Sequence, residues 1–426
     1  MFARRASLRL VLPLFLAAGF AGAQSVTEFP IPTPGSIPIS ITAGKDGALW
    51  FTEVSGNVVA RITTSGTVTE FPIPTPSASP QGITVGPDDS IWFTERSGGK
   101  IGRVGGIGGV TEVALSNPGS GPVGITTGPD GNLWFTEVSA NKIGRLTVLG
   151  ELKEFAIPTA GGPLQIVSGP DGSLWFTESF GNRIGRIGVG GSVVEFPVPT
   201  ANSSPYGIAA GPDGNLWFTE SVGARIGRIT PSGTVTEFAL PGGGSPRGIA
   251  LGSDGNLWFA DQIGDRIGRI TPAGQITEFA VASPGGPAGI ASGPDDALWF
   301  TEIDANRIGR IGVGPCSADA QTLCLNGSRF QVRVHWSVPS QGTSGVGTAV
   351  PLASDTGYFW FFSATNAELM VKVLDGRAIN GHFWVFYGAL SNVQYTITVV
   401  DAATGETKTY ENPAGTMASH ADVNAF

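Results

Sequence analysis

Across residues 24–314 the hydrophobic positions fall in short runs of four to six, each bounded by Gly, Pro, Asp or Ser. Runs of that length, punctuated in that way, predict strands rather than helices. The segment Gly211–Glu220, GPDGNLWFTE, occurs seven times in recognisable form. Its tryptophans, Trp50, Trp92, Trp134, Trp175, Trp217, Trp258 and Trp299, are spaced 42, 42, 41, 42, 41 and 41 residues apart. In the fifth copy the pattern predicts strand A at Gly207–Ala210, B at Leu216–Glu220, C at Arg225–Ile229 and D at Thr234–Leu240. The Asp-Gly between A and B signals a tight turn, because glycine accepts a positive φ. Four antiparallel strands in each repeat of about 40 residues predict an all-β, seven-bladed β-propeller with no helix in its repeats.

The repeat is out of phase with the start of the chain. Ser25–Ile31 matches strand D, and further D copies begin near Thr67, Val110, Glu151, Ser192, Thr234 and Gln275. The last repeat has A, B and C at Gly289–Ser292, Leu298–Glu302 and Arg307–Ile311, then loses the pattern after Gly314 without a D strand. The N-terminal strand is therefore expected to complete the last blade and close the ring, which removes the edges of an open array.

Residues 315–426 form a second expected unit. Phe330–Val338, Gly357–Phe362, Leu369–Leu374, His382–Tyr387, Tyr395–Val400 and Thr407–Tyr410 read as strands, the last two joined by a turn at Thr404-Gly405. Six or seven strands with Trp336, Trp360 and Trp384 among them predict a small β-sandwich with its own core. Cys316 and Cys324, the only cysteines, are expected to form a structural disulfide across a short loop.

Composition narrows the setting. Arg4, Arg5 and Arg9, an apolar run around Leu10–Ala18 and the small residues Ala21-Gly22-Ala23 predict a signal peptide over residues 1–23, hence a secreted or periplasmic protein. The run is shorter than the ~20 residues that a membrane span requires. The formal net charge of −9 becomes −12 once those arginines are removed. An acidic chain without a basic cluster is not expected to bind nucleic acid or an anionic membrane. A monomer is expected.

The repeated chemistry is read first as structure. Seven buried tryptophans account for interblade packing. If B and C form a hairpin, Glu302 faces Arg307 and Trp299 lies beside Arg310; of the repeated carboxylates Glu53, Glu95, Glu137, Glu178, Glu220, Asp261 and Glu302, this predicts ion pairs for all but Glu53, which faces Val58, and cation–π contacts for the tryptophans. Function is expected where the copies differ, on the D-to-A and B-to-C loops around the channel mouth. There Gln81, Arg96, Gln165, Tyr206 and Arg247 stand out and are the candidate ligand-binding residues.

Pro205–Ile208, followed by Gly211–Glu220 and Arg225–Ile229, resembles the repeat of the virginiamycin B lyase family, also called streptogramin lyases, over about residues 24–314. The resemblance implies a seven-bladed propeller and a magnesium-dependent elimination that opens a cyclic depsipeptide antibiotic, using histidine and glutamate at the channel mouth. This chain departs from that pattern: its three histidines, His335, His382 and His420, all lie outside the repeats. Elimination requires a base poised near neutral pH, and no glutamate is marked out by the sequence to replace histidine. The expected role is thus a secreted scaffold binding a peptide, glycan or small molecule at its loop face, with no cofactor. The alternatives are a lyase with an altered site, which would bring magnesium with it, and a structural cell-surface protein.

Overall fold

The computed structural model describes residues 26–105, 109–312, 320–326, 329–401 and 406–426. The expected signal peptide, Cys316, the 314/315 domain boundary and the Thr404-Gly405 turn lie outside these residues. Among them, no helix is long and apolar enough to cross a membrane.

Seven four-stranded antiparallel sheets follow one another along the chain. Blade 5 consists of A (Pro205–Ala210), B (Leu216–Glu220), C (Arg225–Ile229) and D (Val235–Ala239). Blade 7 takes its A, B and C strands from Pro287–Ser292, Ala297–Glu302 and Arg307–Gly312, and its D strand is Val26–Pro30. Val26 faces Ile311 and Pro30 faces Arg307, so the ring closes as the repeat phase predicts.

Strand A begins at the proline, two residues earlier than the sequence pattern predicts. Between Pro205 and Ile208 there are three steps, against two between Glu220 and Phe218 on strand B, and every blade shows the same shift. This is a β-bulge, which bends the inner strand and re-aims the residue after the proline. Neighbouring A strands come so close there that a Cβ on Gly207 would lie 2.3 Å from the Arg247 carbonyl oxygen.

The bulges are linked around the ring by the threonine of each Trp-Phe-Thr-Glu. Thr219 accepts the Gly207 N–H at 2.8 Å and donates to the Arg247 carbonyl of the next blade at 2.6 Å. Thr52, Thr94, Thr136, Thr177 and Thr301 repeat both bonds. Blade 6 has Ala260 in that position. Ala260→Thr is therefore expected to supply the missing link between Gly248 and Ala288 and to raise unfolding free energy by about 1 kcal/mol. Denaturant titration of Ala260→Thr beside Ala260→Val checks this, because valine has the shape without the hydroxyl; equal gains in both would remove the hydroxyl from the explanation.

Three kinds of contact clamp the tryptophans, and five of the seven have all three. The turn aspartate accepts its indole N–H, as Asp213 does from Trp217 at 3.1 Å and Asp88 from Trp92 at 2.9 Å. Strand C lays an arginine over the ring, with Arg103 5.4 Å from Trp92 and Arg228 5.5 Å from Trp217. The D-strand phenylalanine stacks on it, with ring centroids 5.2–5.6 Å apart in six blades. The predicted cation–π contacts thus occur on six of the seven tryptophans, Trp50 being the exception among the described contacts. The aspartate, taken from sequence only as a turn residue, also anchors the indole.

Beyond the propeller, two five-stranded sheets pack face to face, which is the predicted β-sandwich. Phe330, Val332, Val334, Ile397 and Val399 of one sheet meet Phe359, Leu369, Val371, Val373 and Val385 of the other. The sequence reading missed four short strands, Leu323–Leu325, Thr343–Val346, Thr348–Ala353 and Ser419–Asp422. Most of their residues are polar or exposed, so they carry little apolar alternation.

Candidate functional site

The A strands surround a channel cavity of about 120 Å³, lined by Ile41, Ile83, Ile125, Ile208, Ile249 and Ile290 together with Gln165 and Tyr206. Binding pockets for drug-sized ligands run from about 300 to 1,000 Å³. The channel itself is smaller than such a pocket, and its mouth is where the D-to-A and B-to-C loops meet. Their backbones are joined there: the Val222 N–H donates to the Ser203 carbonyl at 3.0 Å, and Phe180 to Gly161 at 2.9 Å.

The five candidate residues do not form one group. Gln165, Tyr206 and Arg247 come from consecutive blades 4, 5 and 6. The Arg247 guanidinium carbon lies 5.1 Å from the centre of the Tyr206 ring. The three backbones are held by the threonine relay, since Thr177 accepts the Gln165 N–H at 3.1 Å and donates to the Tyr206 carbonyl at 2.7 Å. Gln81 and Arg96 belong to blade 2. The Gln81 amide reaches only the Ser79 hydroxyl, at 3.5 Å, and Arg96 is exposed on its B-to-C loop.

The repeated glutamates differ from expectation. The predicted register is present, with Glu302 opposite Arg307 and Phe300 opposite Gly309. The cross-strand ion pair, however, forms only in blades 6 and 7, between Asp261 and Arg266 at 2.8 Å and between Glu302 and Arg307 at 3.1 Å. In blades 2 and 3 the cation turns to the D-strand glutamate instead, Lys100 to Glu112 and Lys142 to Glu154, both at 2.6 Å. The D-strand carboxylate is partly exposed and holds the neighbouring loop, as Glu112 does by accepting the Thr75 N–H and hydroxyl. Pairing there avoids fully desolvating the cation.

The B-strand glutamates Glu53, Glu95, Glu137, Glu178 and Glu220 are left completely buried, with a D-strand carboxylate beside each. Burial, reinforced by the adjacent Glu195, pushes the Glu178 carboxyl up to about 8. Glu53, Glu95, Glu220 and Glu302 are pushed up to about 7, chiefly by burial, and Glu137 is raised for the same reason. A glutamate poised near neutrality, which the sequence did not mark out, thus exists in five blades. All five are sealed from solvent in this structure.

Among the described residues, no group of three or more His, Cys, Asp or Glu is arranged to hold a metal ion. Each buried glutamate has at least one acidic neighbour and, in blades 2 to 5 and 7, a nearby cation.

Fold and site together define a closed seven-bladed propeller with a narrow channel, whose loop face presents an arginine–tyrosine pair beside a glutamine. A family model described as the virginiamycin B lyase family matches residues 20–162 and 159–316. The chain belongs to that family. A solved streptogramin B lyase is 39% identical, with 68% of this chain and 97% of that chain covered and a TM-score of 0.65. Virginiamycin B lyase from Staphylococcus aureus matches at 39% identity over 68% of this chain and 99% of that one, also with a TM-score of 0.65. A catalytically inactive histidine-to-alanine variant of the Staphylococcus aureus enzyme, solved with quinupristin, matches at 38% identity, with the same coverage and TM-score. The matched segment ends at residue 316, before the sandwich.

Proposed function

We propose that the protein is an exported recognition scaffold that binds a peptide, glycan or small molecule at the channel mouth of its propeller. The observation that carries this reading is the Arg247 guanidinium stacked over Tyr206, beside Gln165, at the mouth of a narrow channel. A cation over an aromatic face on a rigid ring is pre-organised for contact, so little ordering entropy is lost on binding.

The lyase alternative has less support in this chain. The inactive relative lost a histidine, whereas the histidines here lie at positions 335, 382 and 420, in the sandwich. The glutamates with raised pKa are sealed beneath the loops.

The reading is tested by screening the full chain against peptide, glycan and small-molecule panels, with Tyr206→Ala and Arg247→Ala in parallel. Either substitution is expected to weaken the selected ligand at least about tenfold, which corresponds to ~1.4 kcal/mol. Quinupristin with and without magnesium forms the second arm. Catalytic opening of its ring would replace the scaffold reading with the lyase one.

A further inference from the structure

Three consecutive blades break the polarity of the loop face. The second residue after the strand-B carboxylate is Ser55, Ser97, Ser139 and Asp304 in blades 1, 2, 3 and 7, but Phe180, Val222 and Ile263 in blades 4, 5 and 6. The last three are 83%, 72% and 76% exposed. A single exposed apolar residue needs no explanation; three at equivalent positions on adjoining blades form an apolar arc.

The arc lies on the blades that supply Gln165, Tyr206 and Arg247, and backbone and side-chain contacts tie each tip to the loop leading into one of them. A Cβ on Gly162 would lie 2.3 Å from the Phe180 ring, three residues before Gln165. The Ser179 and Ser204 hydroxyls share a hydrogen bond of 2.7 Å, joining the Phe180 loop to the segment that enters Tyr206. The Gln262 N–H beside Ile263 donates to the Ser245 carbonyl, two residues before Arg247, at 3.1 Å.

Arg247 lacks an anion. None of the ion pairs among the described residues includes it, and its Nε is buried without an acceptor. In a chain of net charge −9, a half-buried arginine held open at a channel mouth is a site for one negative charge from outside.

We propose that blades 4–6 dock a short apolar peptide by its free terminal carboxylate. Arg247 takes the carboxylate, Tyr206 and Gln165 flank the last residue, and Phe180, Val222 and Ile263 pack against the preceding side chains. The chemistry favours such a peptide over a glycan, because the three tips offer no hydrogen-bonding groups to sugar hydroxyls. The 120 Å³ channel keeps the chain across the mouth rather than down the pore. The proposal rests on the scaffold reading above and narrows it to one ligand class.

Calorimetric titration of the full chain with acetyl-Ala-Val-Phe tests this, using the free acid and the carboxamide. The acid is expected to bind at least about tenfold more tightly than the amide, with Arg247→Ala abolishing that difference. The triple variant Phe180→Ser, Val222→Ser, Ile263→Ser is expected to weaken both forms at least about tenfold. Its melting temperature should be unchanged, because the three side chains are exposed. Equal affinity for acid and amide, unaltered binding by the triple variant, or no binding of either form would overturn the proposal. A glycan bound through Tyr206 in the wider screen, with no peptide bound here, would sink this inference and leave the scaffold standing.

Discussion

Removal of residues 26–33 lowers the melting temperature of the propeller by about 10 °C or more and drives the protein into oligomers. The segment supplies the whole outer strand of blade 7. Phe29 stacks on Trp299 at 5.4 Å, and Ile31 is buried in the same cluster. Each such side chain is worth roughly 1.5–3 kcal/mol of apolar burial. Glu28 adds an ion pair with Arg307 at 2.8 Å and holds the Ser283 N–H and hydroxyl. Asn306 binds back to the Thr33 carbonyl at 2.9 Å and to Ser36 at 2.7 Å, so the closure also orders the first D-to-A loop. At about 2–4 °C per kcal/mol for a domain of this size, the loss of Phe29 and Ile31 alone approaches the stated shift. The strand Arg307–Gly312 is left as an open edge, a template for pairing with another chain. Calorimetry and size-exclusion chromatography measure both effects. A truncated protein that stays monomeric and melts at the original temperature would contradict the closure.

The second large effect is on pH. The propeller is expected to be most stable near pH 5 and to lose about 5–10 °C in melting temperature by pH 8.5. The unfolded glutamate titrates near 4.5, whereas the buried carboxyls of Glu53, Glu95, Glu178, Glu220 and Glu302 titrate at about 7 or 8. Between those values the folded chain binds more protons than the unfolded one, so unfolding free energy falls as pH rises through this window. The turn aspartates set the acid limit. Burial alone would raise them, but indole and backbone donors, joined by an arginine at Asp46, Asp88 and Asp171 and by an asparagine amide at Asp130 and Asp213, outweigh it and hold all five below the usual carboxylate range. Their contribution is present above the unfolded value of 3.8 and is lost as pH falls below it. Glu178→Gln removes one of the raised groups and should flatten the alkaline decline, gaining stability at pH 8.5 relative to the parent. A melting temperature that is level or rising between pH 5 and 8.5 would show that these carboxyls are ionised in the folded protein.

How much of this was legible beforehand follows from what a repeat encodes. Trp50 through Trp299 at a period near 41, and the D-like strand at the wrong end of the chain, define seven blades and their closure without coordinates, because strand length and turn residues are local properties. The B–C register, with Glu302 opposite Arg307, also followed from loop length alone. The short sandwich strands such as Ser419–Asp422 were hidden because edge strands of mostly exposed residues leave no alternation to detect.

The site was legible only in part. Gln165, Tyr206 and Arg247 were recognisable as departures from the repeat, yet their convergence depends on their being on adjoining blades, each re-aimed by a bulge that has no signature beyond Pro-x-Gly-Ile. Gln81 and Arg96 departed from the repeat just as clearly and remain apart on blade 2. Three further features would have been open to a reader comparing blades position by position: the Ala260 gap, the Phe180, Val222 and Ile263 tips, and the missing D-strand phenylalanine at Val113.

By itself, then, the sequence determined the number of blades, the way the ring shuts and the absence of histidine from it, since each is a matter of order along the chain. Only the tertiary structure decided which carboxyls are sealed from water and which cation turns to which acid. Those outcomes depend on how much water each group retains, and that is set by neighbours from other strands and other blades.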